Sequence, residues 1–317
     1  MILDSITKSK KTAFSFEICP PEKGKNLDAI FSTVERLKEF DPKYINITTH
    51  RSELVYRSTP DGLFKGETLR RRPGTVAIAA ALMNKFNIPV VPHILCSGFS
   101  REETEYVLID LNFLGIHDLL VLRGDKAPQD KRFTPDPNGY SHATELQLQI
   151  NKFNDGQFVD GTPHAYTMSS PFTYGVAGYP EKHEEAPNME SDMNFLKQKV
   201  QNGAKYIVTQ MFFDNQKFYQ FVDKCRENGI YVPIIPGLKP LKRVSQLSVI
   251  PKTFHIDIPQ NFVSEMSKCQ TNEQAEQCGI EWCTAQAKDL IAHGVPSIHF
   301  YSINASKSVA EVAKNVY

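Results

Sequence analysis

Short runs of apolar, strand-forming residues alternate with longer amphipathic stretches along this chain. The runs are rich in Val, Ile, Phe and Tyr, and several are almost continuously apolar, as parallel strands covered on both faces are. We predict eight strands, at residues 13–18, 44–49, 90–96, 119–123, 174–179, 206–212, 231–236 and 297–302.

The stretches between these runs carry helix signals. Asn26 is placed to cap a helix with an apolar face, and Ser100 with Glu103 makes a capping box. An Asn-Gly or His-Gly pair, the usual end of a helix, follows the predicted helices at 191–201, 218–227 and 280–292.

Strands and helices that alternate in this way predict an α/β fold, a (β/α)8 TIM-type barrel forming one domain over residues 1–317. A doubly wound open sheet is the main alternative. The barrel is favoured because eight strands close a barrel well and the sequence has no Gly-rich phosphate turn of the GxGxxG or GxxxxGK(S/T) type.

The longest connection, at 124–173, joins the fourth and fifth predicted strands. It contains a predicted helix at 142–153 between two polar, turn-rich stretches. The first stretch, 126–139, follows a strand and is therefore a candidate lid at the active face of the barrel. The second, 154–170, leads into a strand and is predicted to be a peripheral insertion.

Charge and composition narrow the function. The 317 residues include 36 basic and 36 acidic side chains without a basic block, so no nucleic-acid partner is expected, and Arg70–Arg72 is interpreted as a solvated surface. The N-terminus lacks an apolar signal segment and no window is long enough to span a bilayer, so we expect a cytoplasmic protein with no membrane partner. The six scattered cysteines indicate reduced thiols, and no metal site is expected.

A barrel enzyme carries its chemistry at the carboxyl ends of its strands. Polar side chains inside or just after apolar runs are costly to bury without a partner, which marks them as candidates. These residues are Glu17, Thr48, Thr49, His93, Arg123, Asp125, Tyr179, Gln210 and Tyr301.

Glu17 is the sharpest candidate, because Phe16 and Ile18 flank it within the first predicted strand. Burial disfavours the charged carboxylate and so raises its pKa, which suits a general acid near neutral pH. A buried ion pair with Arg or Lys at the barrel mouth explains the same pattern equally well.

Three other strand ends are open to two interpretations. Arg123, Gly124 and Asp125 could bind an anion and a heterocycle at close approach, or form a structural Arg–Asp pair at a turn. A lone His93 is more typical of a hydrogen-bonded polar residue than of a metal ligand. Gln210 could donate to and accept from a pterin, or clamp a neighbouring strand.

Eight segments, taken in order and spacing, are similar to the methylenetetrahydrofolate reductase family over nearly the whole chain. They are FSFEICPP at 14–21, PH at 92–93, LRGD at 122–125, VAGYPEKH at 176–183, the helix at 191–203, TQMFFD at 209–214, IIPG at 234–237 and HFYSIN at 299–304.

The resemblance implies an eight-stranded barrel with non-covalent FAD. Hydride would pass from NADH or NADPH through the flavin to 5,10-methylenetetrahydrofolate in ping-pong order, giving 5-methyltetrahydrofolate for methionine synthesis and one-carbon metabolism. The sequence has no ribose-reading motif, and NADH is the expectation for the short bacterial type that the chain resembles. A homo-oligomer is also expected.

The resemblance assigns roles to particular residues. Glu17 is the general acid, Asp125 stabilises the cationic folate and tunes the flavin, and Gln210 and Tyr301 bind substrate. The expected flavin contacts are Thr48, His93, Leu122, Arg123, Gly124, Asp125, His142, Ala143, Ala177, Tyr179, His183, Asp192, Lys199 and Val208.

The sequence departs from the family pattern at Phe195, Gln198 and His142, which affects contacts to the pyrophosphate and adenosine. Two other functions remain as alternatives. One is an aldolase or isomerase, for which 236–239, ending in Lys239, is the nearest approximation to a site. The other is a non-catalytic subunit that binds flavin or folate.

Overall fold

The computed structural model describes residues 2–8, 11–51, 53–126, 130, 132–166, 168 and 170–317. Its strands are β1 (Ala13–Ile18), β2 (Tyr44–Ile47), β3 (Glu53–Ser58), β4 (Phe64–Leu69), β5 (Val90–Leu95), β6 (Asp118–Leu122), β7 (Thr173–Gly178), β8 (Tyr206–Met211), β9 (Ile234–Leu238) and β10 (Ser297–Phe300). Its helices are α1 (Ile2–Thr7), α2 (Asp28–Leu37), α3 (Thr75–Phe86), α4 (Arg101–Phe113), α5 (Ala143–Asn154), α6 (Met189–Gln201), α7 (Asn215–Glu227), α8 (Gln246–Phe254), α9 (Gln260–Ser267), α10 (Asn272–Ala292) and α11 (Ser306–Lys314).

Eight of the strands close into a barrel in the order β1-β10-β9-β8-β7-β6-β5-β2. Each barrel strand is followed along the chain by at least one helix, and β3 pairs with β4 in a separate antiparallel hairpin. The arrangement confirms the (β/α)8 barrel expected from the sequence.

The chain divides into two compact units. The first contains Met1–Ile18, Phe31–Asn46 and Gly175–Tyr317, and the second contains Cys19–Ile30 and Ile47–Tyr174. A single domain over residues 1–317 stays a prediction.

In the first unit, the parallel pairing of β1, β10 and β9 sets the register of the strand ends. Phe16 pairs with Phe300, and Phe300 pairs with Leu238. All three side chains are fully buried. Because successive side chains of a strand point to opposite faces, the residues that follow these three share the other face.

In the second unit, β5 pairs with β6 in parallel, and His93 lies opposite Leu120. The predicted capping box is confirmed at the start of α4, where the Ser100 hydroxyl accepts from the Glu103 N–H and the Glu103 carboxylate accepts from the Ser100 N–H.

The predicted insertion at 154–170 packs onto the end of α5. The His164 ring lies 4.6 Å from the Phe153 ring and 4.2 Å from the Phe158 ring, measured between ring centroids. Residues 167 and 169 of this stretch, and residues 127–129 and 131 of the candidate lid, lie outside the described residues.

One strand prediction needs correction, and one pair of strands was not predicted. The seventh predicted strand, at 231–236, begins only at Ile234. Tyr231 is 74% exposed, and the Arg226 guanidinium donates hydrogen bonds to the carbonyls of Ile230 and Val232, which are therefore not available for strand pairing. The hairpin of β3 and β4 was not predicted.

The predicted helix ends are confirmed at Gln201, Glu227 and Ala292, whereas α6, α7 and α10 begin earlier than expected. In the described ranges, no helix has both the length and the apolar character needed to cross a bilayer. The same residues contain no group of three or more His, Cys, Asp or Glu side chains arranged to hold a metal ion.

Gly279 fixes how closely α10 approaches the segment after β9. A Cβ atom at this position would lie 1.9 Å from the Leu241 carbonyl oxygen. We therefore expect Gly279→Ala to lower the free energy of unfolding by at least about 2 kcal/mol, because the added methyl group clashes with this carbonyl. The clash outweighs the higher helix propensity of Ala, which would stabilise an exposed helix. Urea unfolding measures the change.

Lys288→Ala, on the exposed side of α10, is the matched control and should change stability little. A Gly279→Ala protein as stable as the parent chain would show that this close approach is not required.

Candidate active site

Glu17 is the next-to-last residue of β1, and only 7% of its surface is exposed. Burial raises the pKa of its carboxyl from the usual 4.5 to about 7, and the positive charge of Lys239 acts in the opposite direction. Its backbone is fixed, because the Ser302 hydroxyl donates to the Glu17 carbonyl at 2.5 Å. The raised pKa of Glu17 agrees with the effect of burial between apolar neighbours that the sequence predicted.

Lys239 follows β9 and lies in register with Glu17. Since Phe16, Phe300 and Leu238 are paired, the next residues along the three strands form one row. We call Glu17, Tyr301 and Lys239 the polar row. The Lys239 ammonium donates to the carbonyls of Tyr301 at 3.2 Å and Ile303 at 3.3 Å.

Gln210 lies at an irregularity in the pairing of β8 with β9. Val208 pairs with Ile235, but Met211 pairs with Gly237, so β8 contains one extra residue. Such a bulge bends the strand and re-aims a side chain. The Gln210 amide oxygen accepts from the Met211 N–H at 2.9 Å, which leaves the NH2 group to donate to a ligand.

Tyr301 follows β10 and supports this bulge across β9. Its hydroxyl donates to the Thr209 carbonyl at 2.6 Å, and the Thr209 hydroxyl accepts from the Gly237 N–H at 3.0 Å. A Cβ at Gly237 would lie 2.5 Å from the Tyr301 ring. The single hydroxyl proton of Tyr301 is thus committed to the backbone, and toward a substrate the oxygen can only accept.

Five of the expected flavin contacts of the first unit are joined in one network after β7. The Tyr179 ring meets the His183 ring edge-on, with the ring centroids 4.7 Å apart. The backbone N–H of His183 donates to the buried Asp192 carboxylate at 3.0 Å. The Lys199 ammonium donates to the Ala177 carbonyl at 3.3 Å and lies 5.9 Å from the Tyr179 ring. Asp192 and Lys199 lie about two turns apart on α6, the spacing that places both on one side of a helix.

The sixth expected contact in this unit, Val208, is buried in β8. Glu181 anchors the loop of the network, because its carboxylate accepts from the Lys217 ammonium at 2.9 Å and from the Asp257 N–H at 2.7 Å. Phe195, at a position where the sequence departs from the family pattern, is 53% exposed on α6.

In the second unit, His93 is buried within β5 rather than at its end. Its Nε2 atom has no hydrogen-bond partner among the described residues. Burial, with a smaller effect from the charge of His50, lowers the pKa of His93 to about 3 and keeps the ring neutral. A neutral ring nitrogen that lacks a protein partner can form a hydrogen bond with a polar group of a bound ligand.

Thr48 and Thr49 follow β2. The Thr49 hydroxyl donates to the His93 carbonyl at 2.5 Å, which fixes the backbone on which that ring is carried. The Thr48 hydroxyl lies 3.4 Å from the Nε2 atom of His50, and the Cys19 sulfur lies 3.1 Å from the same atom.

The loop of Arg123, Gly124 and Asp125 after β6 is tied to Ser97. The Ser97 N–H donates to the Arg123 carbonyl and its hydroxyl to the Asp125 carbonyl, both at 3.0 Å. Gly124 has a left-handed φ of 81°, and a Cβ there would lie 2.8 Å from the Ser97 Cβ. Only glycine suits this position without strain.

The side chains of this loop point to different partners. The Arg123 guanidinium lies 4.8 Å from the centre of the Phe133 ring, within the candidate lid. Asp125 is exposed, and its negative charge acts to raise the pKa of His50 against the larger effects of burial and of Arg72.

The remaining expected flavin contacts lie at element ends. Leu122 is the last residue of β6, and Ala143 is the buried first residue of α5. The N–H of the exposed His142 donates to the Glu145 carboxylate at 2.9 Å, so the start of α5 is held by a carboxylate of its own first turn.

Lys239 is the residue that sequence reasoning missed as a partner of Glu17. In the sequence, Lys239 could be seen only as a lysine directly after an apolar run, and it was considered only as a weak feature of an aldolase site. The ion-pair interpretation of Glu17 asked for such a cation, but the sequence did not identify it.

A family model described as methylenetetrahydrofolate reductase matches residues 2–317. The chain belongs to this family. It is 29% identical over 325 residues to "Methylenetetrahydrofolate reductase (NADH) 1" of Arabidopsis thaliana, a match that covers 99% of this chain and 50% of that relative. The chain thus spans about half the length of several of the curated relatives that it matches.

A bacterial relative matches over more of its own length. The 5,10-methylenetetrahydrofolate reductase of Pectobacterium carotovorum is 28% identical over 295 residues, covering 92% of this chain and 86% of the relative. A solved structure of an uncharacterized Clostridium thermocellum protein, described as binding two copies of 5-methyl-5,6,7,8-tetrahydrofolic acid, is 14% identical with a TM-score of 0.56, covering 100% of this chain and 98% of that one. That likeness supports the fold.

The raised pKa of Glu17 makes the stability of the fold depend on pH. The folded carboxyl titrates near 7 and the unfolded one near 4.5, so the folded state binds more protons in this window and stability falls as pH rises through it. We expect Glu17→Gln, which removes the ionisation, to raise the free energy of unfolding at pH 8 by on the order of 3 kcal/mol.

Urea unfolding at pH 8 and pH 4 measures this effect, and the gain should vanish at pH 4. Glu281→Gln, on the exposed side of α10, is the control and should change stability little at both pH values. An equal effect of Glu17→Gln at pH 4 and pH 8 would mean that ionisation of this carboxyl is not the cause.

Proposed function

We propose that this protein reduces 5,10-methylenetetrahydrofolate to 5-methyltetrahydrofolate, with non-covalent FAD and with NADH as the reductant, in ping-pong order. The observation that carries the proposal is the burial of the Glu17 carboxyl at the end of β1, which raises its pKa to about 7. Membership of the reductase family supports the reaction, and the NADH in the name of the Arabidopsis relative supports the reductant.

The residues present fit the flavin. In the second unit, the buried Nε2 of His93 lacks a protein partner among the described residues, which is how a nitrogen that meets a ligand is left. In the first unit, the network after β7 presents an aromatic ring, Tyr179, and a cation, Lys199, to a polyanionic dinucleotide. When bound, FAD supplies the two-electron carrier between nicotinamide and folate.

The chain's own residues then supply the proton and the binding contacts. Opening the five-membered ring of the folate requires a proton on its leaving nitrogen, and Glu17 holds one at neutral pH. The NH2 group of Gln210, aimed by the β8 bulge, donates to the pterin edge. The negative charge of Asp125 stabilises the cationic folate that results.

The product supplies methionine synthesis and one-carbon metabolism, the protein acts in the cytoplasm, and it assembles as a homo-oligomer. Light scattering of the purified protein tests the last of these.

The half-reactions test the function directly. Purified protein loaded with FAD should bleach anaerobically with NADH, more slowly with NADPH, and recover its colour on addition of 5,10-methylenetetrahydrofolate. Glu17→Gln should be reduced at the normal rate but reoxidise at least about 100-fold more slowly with folate, because it has no proton to give. Stopped-flow absorbance of the flavin measures both steps.

Glu281→Gln is the control and should behave as the parent protein in both steps. A protein that does not bind FAD contradicts the proposal. A flavoprotein that NADH reduces but folate does not reoxidise would favour the alternative of a non-catalytic subunit. Full folate turnover by Glu17→Gln would remove this residue from the reaction.

The aldolase alternative has one structural candidate, the lysine after β9. Burial lowers the pKa of Lys239, and the charge of Glu17 acts in the opposite direction. The Lys239 nitrogen donates to two carbonyls, and these hydrogen bonds would have to break before it could attack a carbonyl compound. Borohydride trapping with carbonyl compounds should therefore leave Lys239 unmodified.

A further inference from the structure

The polar row brings a carboxyl and an ammonium to the ends of two strands of the first unit, β1 and β9, on either side of β10. Glu17, Tyr301 and Lys239 each come one residue after the paired positions of β1, β10 and β9. The buried Phe16, Phe300 and Leu238 occupy the opposite face. Glu17 and Lys239 are thus separated by one strand, with Tyr301 between them.

The position of Lys239 is fixed by backbone atoms. An ammonium has three donors and no acceptor, and two of these donors go to the Tyr301 and Ile303 carbonyls. Tyr301 is itself held, since its hydroxyl donates to the Thr209 carbonyl and its N–H to the Leu238 carbonyl at 2.9 Å. The charge therefore has one defined place in the polar row.

The other titratable groups around this pair do not duplicate its charge. Lys242 lies after β9 as well, but its ammonium donates to the Asn304 carbonyl at 3.1 Å and lies 3.6 Å from Glu276. Cys283 of α10 faces Lys239, and burial raises the pKa of its thiol well above its usual value.

Tyr301 also stays neutral. Burial raises the pKa of its hydroxyl, and the charges of Glu17, Tyr179 and Tyr44 act in the same direction. In the described part of the chain, Lys239 is the charged group whose field acts on Glu17.

We propose that Lys239 is a positioning residue for the folate half of the reaction: its ammonium, fixed by two carbonyls in the polar row, is the charge against which the Glu17 carboxyl gives up its proton. The inference rests on the proposed function, in which this carboxyl is the acid.

Two opposing effects explain why the lysine matters. Burial alone favours the protonated carboxyl, and the positive charge of Lys239 favours the carboxylate. With Lys239, Glu17 titrates near pH 7 and is an acid strong enough to give up its proton. Without that charge, the carboxyl would keep its proton to higher pH and would be a weaker acid.

Two neutral variants, Lys239→Met and Lys239→Gln, test the role in the protein loaded with FAD. The Gln side chain can still donate to one carbonyl, so it keeps the test valid if the Met variant does not fold. Lys239→Arg keeps the charge. Lys242→Met is the matched control, because this lysine also donates to a carbonyl of the same loop after β10.

The first readout is the pKa of Glu17 itself, from a 13C NMR titration of labelled Glu carboxyls in the oxidised protein, with the signal assigned by Glu17→Gln. We expect both neutral variants to raise this pKa by about one unit or more. The Arg variant and Lys242→Met should leave it within a few tenths of a unit of the parent value.

The second readout is the pH dependence of flavin reoxidation by 5,10-methylenetetrahydrofolate in a single turnover. Its alkaline limb should move upward by the same amount in the neutral variants, with a lower maximal rate, whereas reduction by NADH should be unchanged. This pattern separates a positioning role from a structural one, which would slow both half-reactions without moving the limb.

The outcomes are distinguishable. A Glu17 titration that stays at the parent pH in both neutral variants overturns the role of Lys239, whatever the folate activity. An unmoved alkaline limb despite a shifted titration also overturns it. Parent protein that folate does not reoxidise overturns the proposed function instead.

Discussion

A carboxyl group inside a barrel is stable in its neutral form and costly in its charged form, and the chemistry of the candidate site depends on how that cost is offset at Glu17. The strand that carries this residue is buried on every position, so the carboxyl has almost no water to solvate its charge. The charge of Lys239, fixed two strands away after β9, acts against burial, and the pKa of the carboxyl is raised to about 7. The result is a group that holds a proton at neutral pH and can also release it.

Placing that cation requires close backbone approaches that only small residues permit. Gly279 lets α10 lie against the Leu241 carbonyl, two residues beyond Lys239, and Gly237 makes room for the Tyr301 ring. The same ring hydroxyl satisfies the Thr209 carbonyl at the β8 bulge. The acid and the bulge that aims Gln210 are therefore held by one set of contacts, and a change at Tyr301 disturbs both.

The barrel itself could be predicted from the sequence because its strands are buried on both faces. Each of these strands is a run of apolar residues that can be recognised from its composition alone. The first strand, at 13–18, was located correctly. The β3–β4 hairpin could not be found in this way. Tyr56 is 67% and Phe64 73% exposed, and charged residues lie between them. Among the side chains of the hairpin that the structure describes none is buried, so they give no period of two.

The site was less predictable than the fold, because its decisive contacts join distant parts of the chain. Glu17 could be chosen from its apolar neighbours, which determine its burial locally. The partners of Lys239 lie 62 and 64 residues away, at Tyr301 and Ile303, and nothing near Lys239 in the sequence indicates them. The extra residue of β8 depends likewise on its pairing with β9, which a single strand does not reveal.

Lys239 and Glu17 differ in the hydrogen bonds that each side chain makes. Burial lowers the pKa of Lys239, but both carbonyls accept hydrogen bonds from the ammonium and the charge of Glu17 favours it. Glu17 has no comparable donor: within the described residues, no hydrogen bond or ion pair of 4 Å or less joins its carboxylate oxygens to another group. The two carbonyls thus hold the ammonium in place as the charge that acts on the carboxyl, whereas burial is the larger influence on the carboxyl and raises its pKa to about 7.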